Sequence, residues 1–189
     1  MTRKRVTDEE YGNLSRKLSE LCRRVDEGTL PFEATMEGLQ RLIEGQGEIF
    51  LVTVDFSMTL VAMIAAGHYD WVNSNITQDH FLITGSGTVE LELELIQFKN
   101  PMSTDNVLKE LDRQGYRPAT LPELLAFGAK YPEKQREFPI IAIGSVLLHS
   151  DGDRCVPCLG EGSLKKRRLG LDWHGRAWGG NCRFLAVRK

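Results

Sequence analysis

"TVELELELIQF", Thr88 to Phe98, is the segment from which the fold is read. Val89, Leu91, Leu93 and Leu95 alternate with Glu90, Glu92 and Glu94, and successive side chains of a strand point to opposite faces. The spacing predicts a strand with one buried face, the glutamate row forming its solvated face. A helix is expected next, from about Thr104 to Gln114, with Val107, Leu108 and Leu111 inward and Gly115 as its stop. A second opens in "ATLPELLAFGAKYP", where Thr120 and Glu123 have capping-box spacing and Pro122 occupies the first turn. From Phe138 to Leu148 the composition is that of a buried strand, and "DRCVPCL", "RRLGLDW" and "CRFLAVRK" follow as shorter strands. Strand, two helices and four strands make an α+β domain over 88–189, whose first and last strands pair.

Upstream, residues 1–46 read as a helical hairpin. Thr7 caps a helix with Leu14, Leu18, Leu21, Cys22 and Val25 at three- and four-residue steps, and "DEGTLP" breaks it. The second helix aligns Phe32, Met36, Leu39, Leu42 and Ile43, with Gly45 near its stop. Two such amphipathic helices need a surface to cover, and self-association of the chain through them is one way to supply it. Residues 47–87 read as a small connecting α/β segment: a strand from Ile49 to Phe56, a helix through "TLVAMIAAGHYDWV", and a polar connection from Asn73 to Gly87.

Composition excludes several classes of function. The net charge of -2 lacks the basic excess of a nucleic-acid binder. The most apolar run, Met58 to Ala66, is too short to cross a bilayer, so no membrane association is expected. The basic N-terminus has no apolar stretch behind it to make a secretory signal, and a cytoplasmic protein is expected. Cys22, Cys155, Cys158 and Cys182 are too few for a disulfide scaffold in a chain of 189 residues.

Enzyme signatures are missing too. Ser57, Ser145 and Ser150 have no nucleophile-elbow setting, and no glycine loop has phosphate-binding spacing. Asp151 and Asp153 read as a turn, because the remaining oxygen ligands of a calcium loop are absent. Cys155-Val156-Pro157-Cys158 is a C-x-x-C without the helix start that would stabilise a thiolate. Zinc held by Cys155, Cys158, Cys182 and His174 is the alternative, although the second pair lacks knuckle spacing. No cofactor is expected. Trp173 and Trp178 with Arg167, Arg168 and Arg176 form the plausible binding patch, with Trp178 expected in the core.

The end of the chain, "RRLGLDWHGRAWGGNCRFLAVRK", holds two populations of residues. Leu169, Leu171, Trp173, Trp178, Phe184 and Leu185 are spaced as a framework. Arg168, Gly170, Asp172, His174, Arg176, Gly179 and Asn181 follow no apolar logic, and alternation sends the first three to one face.

Together with "GYRPATLPELLAFGAKYPEKQREFPIIAIGSV" and "RCVPCL", this end resembles the variable proteins of diversity-generating retroelements. "HYDWVNSNIT" and "TVELELELIQF" are similar to the upstream part of such bacterial chains, so the likeness covers about Phe50 to Lys189. The resemblance implies a C-type-lectin-like fold of the kind shared with formylglycine-generating enzymes. It implies a non-enzymatic protein that binds an unknown macromolecular ligand, a protein, through a diversified surface in region 144–189. Adenine-directed mutagenesis of Asn codons yields many residue types there, but not Lys, Glu, Gln, Met or Trp. The surface so implied comprises Leu148, His149, Ser150, Arg154, Arg168, Gly170, Asp172, His174, Arg176, Gly179 and Asn181. Lys165 and Lys166 fall outside the permitted set. Leu147 stands where relatives tend to carry Trp, the catalytic cysteine pair has no counterpart, and the lectin calcium motifs are absent.

Overall fold

The computed structural model describes residues 6–43, 47–149 and 151–189; Gly45, Ser150 and the side chain of Leu42 lie outside the described set. The chain forms two units, Met1–Gly47 and Glu48–Lys189.

In the first unit, α1 (Asp8–Asp26) and α2 (Phe32–Ile43) follow each other through a turn in which Gly28 adopts a φ of +70°. Thr7 accepts the Glu10 N–H at 3.2 Å and donates its own N–H to the Glu10 carboxylate at 2.8 Å, closing a capping box. Acidic residues in the first turn and Arg23 and Arg24 in the last complement the helix dipole. No residue of α1 is buried, and Leu14, Leu18, Phe32, Met36 and Ile43 stand exposed along the two helices.

The second unit is mixed α/β. Its strands are β1 (Ile49–Asp55), β2 (Trp71–Val72), β3 (Thr88–Ile96), β4 (Tyr116–Pro118), β5 (Ile140–Ile141), β6 (Leu147–Leu148), β7 (Arg154–Glu161), β8 (Arg167–Trp173) and β9 (Arg183–Arg188). Its helices are α3 (Leu60–Ala66), α4 (Thr104–Arg113), α5 (Leu121–Lys130) and α6 (Lys134–Glu137). The strands join one large sheet in the order β1-β3-β9-β5-β7-β8-β2, with β4 on β9 and β6 on β7. The expected pairing of first and last strands is present: β3 and β9 run antiparallel, with Leu93 opposite Val187 and Ile96 opposite Phe184. β1 extends this sheet, pairing with β3 from Ile49↔Glu94 to Asp55↔Thr88, so residues 47–87 share a sheet with 88–189.

Each face of the sheet has its own core. On one, Phe50, Val52, Leu93, Leu159, Leu169 and Leu185 pack against Leu60 and Met63 of α3 and Leu124, Leu125 and Phe127 of α5. On the other, Ile141, Ile143, Val156, Phe184 and Ala186 pack against Val107 and Leu111 of α4 and against Trp178. Trp178 is 1% exposed, in the core as expected.

Three expectations are corrected. The helix at residue 59 ends at Ala66, because Gly67 lies so close to the Tyr69 ring that a Cβ would sit 2.5 Å from Cζ, and His68 turns the chain with a φ of +48°. Trp71 and Val72 are therefore strand. The strand expected over 138–148 is two short ones, because Gly144 hydrogen-bonds to the Ala119 carbonyl at 2.9 Å and leaves the ladder. The glutamate row is solvated only at Glu90 and Glu92. β9 covers the far end of β3, where Glu94 is 2% exposed and its Oε1 accepts from Arg188 at 2.8 Å.

Arg167, read as part of a binding patch, is instead buried beneath β8. Its Nη1 donates to the Gly67 carbonyl at 2.5 Å and its Nη2 to that of Gly128 at 2.7 Å. Gly67 caps the C-terminus of α3 and Gly128 lies in the last turn of α5. Terminal carbonyls have no partner within a helix and carry the negative end of its dipole, so one buried cation closes two helices. Gln135 accepts from Nε at 3.1 Å, and the Tyr69 ring lies 5.0 Å from the guanidinium carbon.

Candidate functional site

Strand register decides which candidate residues share a face. Leu148 is opposite Arg154, Val156 opposite Asp172, Cys158 opposite Gly170, and Gly160 opposite Arg168. Residues directly opposite in an antiparallel pair point the same way, and those two apart on a strand do likewise. Leu148, Arg154, Arg168, Gly170 and Asp172 therefore lie on one face. On the reverse face Leu147, Leu159 and Leu169 are buried, with Cys155 and Leu171 packed against them. Leu148, Arg154 and Arg168 are exposed, while Gly170 and Asp172 are half-buried.

The loop after β8 extends this face. Asp172 Oδ2 accepts from Arg176 Nη1 at 2.6 Å, and the Arg176 guanidinium lies 5.3 Å from the Trp178 ring centroid. The loop is fixed from beneath. The Thr104 hydroxyl donates to the His174 carbonyl and accepts from Trp178 Nε1 at 2.9 Å. Met102 and Trp178 exchange backbone hydrogen bonds, and Gln97 Nε2 donates to the Gly180 carbonyl at 2.7 Å. Arg176, Gly179 and Asn181 thus stand on a braced platform.

His174 departs from the expected surface: it is 7% exposed. Its N–H donates to the Arg154 carbonyl at 2.8 Å while Thr104 holds its own carbonyl, so the backbone is clamped from both sides. Burial, with a smaller push from Arg154, holds the imidazole below its ordinary pKa against the opposing pull of Asp105. His149 lies half-buried in the turn between β6 and β7, its N–H donating to the Asp153 carbonyl at 2.8 Å. Trp173 is exposed, but register puts it opposite Cys155 on the reverse side from Arg168.

Two glycines of the site differ from their neighbours. A Cβ on Gly170 would meet Cys158 Sγ at 3.4 Å, an ordinary contact. On Gly179 it would meet only the Asn181 Oδ1 atom, at 3.0 Å. On Gly180 it would strike the Lys99 carbonyl oxygen at 2.9 Å, and on Gly144 the Ala119 carbonyl oxygen at 2.6 Å. The first two positions accept a side chain, and the other two are closed by backbone.

Trp71 is the functional candidate that sequence reasoning missed. Being 42% exposed, it stands on β2 opposite Arg168 in a parallel pairing. The Arg168 guanidinium lies 4.4 Å from its ring centroid, within cation–π range. Arg168 separates two clefts. One, of about 310 Å³, is bounded by Trp71, Gly162, Ser163 and Lys166. The other, of about 220 Å³, is bounded by Pro139, Cys158, Gly160, Gly170 and Asp172. The available signal was the "GHYD" break before Trp71, which ends a helix and sets the tryptophan outside it.

The four-ligand zinc arrangement is not assembled. Cys155 and Cys158 stand three apart on a strand and pack into opposite cores. Among the described residues no group of three or more His, Cys, Asp or Glu side chains could hold a metal ion. Burial and then Asp172 push the Cys158 thiol up to about 12, and burial raises Cys182 as well. Protonated thiols are poor nucleophiles and poor metal ligands.

Compared with protein-family models, curated proteins and solved structures, the chain matches none. No described helix is long and apolar enough to cross a membrane.

Proposed function

We propose that this chain is a non-enzymatic, cytoplasmic ligand-binding protein. In this reading its second unit is a C-type-lectin-like scaffold, and its diversified surface is the β7–β8 face continued by the platform loop. The ligand is a protein. One observation carries the reading: residues unrelated in type, from β6, β7 and β8, converge on a single face while the residues between them fill the reverse core. Gly170 and Gly179 support it, being open to side chains where Gly144 and Gly180 are not. A rigid scaffold under exchangeable residues supplies new binding without loss of the fold. Trp71, outside 144–189, is the constant anchor of the surface; tryptophan and arginine are enriched at binding hot spots.

The test is a displayed library randomised at Arg154, Arg168, Gly170, Asp172, Arg176, Gly179 and Asn181. Most members should fold, and selection against an arbitrary protein should return binders whose affinity falls on Trp71→Ala. A library that is mostly unfolded defeats the reading. So does DNA around the coding region that contains no reverse transcriptase and no near-copy of the segment for 144–189 differing at adenines.

A second reading concerns the first unit, where the exposed stripe of Leu14, Leu18, Phe32, Met36 and Ile43 favours self-association. Light scattering decides it: Leu14→Glu with Leu18→Glu should lower the particle mass, and an unchanged mass removes the helices from assembly.

A further inference from the structure

β1 ends the sheet, and no described strand pairs with its outer edge. The Leu51 carbonyl accepts from the Tyr131 hydroxyl at 3.0 Å, whereas the Phe56 N–H donates to Gly87 on the β3 side. Backbone direction alternates along a strand, so Thr53 turns its N–H and carbonyl outward, as Leu51 does. Beside this edge is a cleft of about 460 Å³. Val52 and Val54 line it from one face of β1, and Thr53 and Asp55 from the other. Residues of both faces can border one cavity only where it reaches round the edge of the strand. Leu125, Ala126 and Ala129 of α5 and Met63 of α3 make the opposite wall apolar.

Charge fixes a direction. Lys130 borders the cleft, its ammonium 5.8 Å from the Tyr131 ring centroid and paired with no carboxylate among the described residues. Tyr131 and Phe127 both pack on Phe50, so Lys130 marks the Phe50 end of β1 and Asp55 the other.

We propose that this edge and cleft bind an extended peptide segment of a partner protein, added antiparallel to β1 with an acidic group at the Lys130 end. Main-chain groups of the segment pair with Thr53, alternate apolar side chains enter the cleft, and its C-terminal carboxylate or an acidic side chain meets Lys130. An uncharged small molecule would fill the cleft and leave Thr53 and Lys130 unmatched. The site is independent of the β7–β8 face, lying over the other core.

The experiment pans a phage-displayed random decapeptide library on the full-length protein, and the most enriched peptide, synthesised and labelled, is the probe. Enriched sequences should alternate apolar residues and end in an acidic group. Affinity should fall at least about tenfold in Thr53→Pro, which removes an outward N–H of a kind edge strands can spare, and in Ala126→Trp, which fills the cleft. Lys130→Glu should weaken the acidic probe without unfolding the protein, so the site remains testable if Thr53→Pro does not fold. The proposal is overturned by a library with no enrichment, or by a probe that binds Ala126→Trp and Lys130→Glu as well as the parent. A dimer of the parent protein that Thr53→Pro dissociates also overturns it, by assigning the edge to a second copy.

Discussion

The two faces of the β7–β8 ladder are made by neighbouring residues with opposite duties, and Arg167 and Arg168 state the contrast most directly. The same side chain, one peptide bond apart, is buried across two helix ends in one case and stacked on an exposed tryptophan in the other. The strand period of two makes the difference, since it sends one arginine to the core of α3 and α5 and the other to the clefted surface. Residue type alone therefore says little about duty on this ladder, whereas register says much.

The largest expected effect breaks that contrast if it fails. Arg167→Met strips partners from the Gly67 and Gly128 carbonyls and from Gln135, all held by the guanidinium. Each buried acceptor left without its donor costs about 1–3 kcal/mol, whereas a surface exchange such as Arg168→Met stays within about 0.5 kcal/mol. Urea denaturation of the two variants measures the difference. Equal losses would mean that the faces are not distinct.

Glycines sharpen the same comparison. Gly128 faces the inner core, where an added Cβ would meet Leu159 Cδ1 at 2.8 Å, whereas Gly170 has room for one. Overpacking makes Gly128→Ala cost about 1–3 kcal/mol despite the better helix propensity of alanine. Gly170→Ala should shift the thermal midpoint little, by about 0.5 kcal/mol or less, because the added methyl meets only an ordinary contact with Cys158 Sγ at 3.4 Å.

Thr104→Val tests whether the platform is braced or merely present. It removes the hydrogen bonds to the His174 carbonyl and the Trp178 indole while keeping the shape, for a loss of about 1–3 kcal/mol. Amide exchange should quicken between His174 and Trp178. Unchanged protection would show that the Met102–Trp178 bridge alone holds the loop.

Much of this architecture is legible from periodicity. The alternation of 88–98, the capping-box spacing at Thr120 and Glu123, and the apolar runs of the last strands locate the terminal pair and the helices between them. What escapes is set by partners distant in sequence. Glu94 looks like Glu90 and Glu92 until β9 and Arg188 arrive beside it. Arg167 looks like Arg168 until two helix ends meet over it, 100 and 39 residues away in the chain. Trp71 looks helical until β8 offers it a parallel neighbour. His174 belongs to the same class, since Thr104, 70 residues upstream, draws it into the protein.

That burial gives the smallest effect, a pH dependence. The folded-state pKa of His174 lies below the ordinary imidazole value, chiefly through burial and secondarily through Arg154, with Asp105 opposing. Between the two values the unfolded chain binds a proton that the folded protein refuses, so folding is favoured at higher pH. This contribution is whole above about pH 6.5 and is lost as pH falls from there towards the folded-state value. The chain carries three other histidines, so the measurement is a difference between the parent and His174→Gln. Urea midpoints should fall more steeply for the parent on acidification across that window, and parallel slopes would place His174 in solvent with the rest of the outward face.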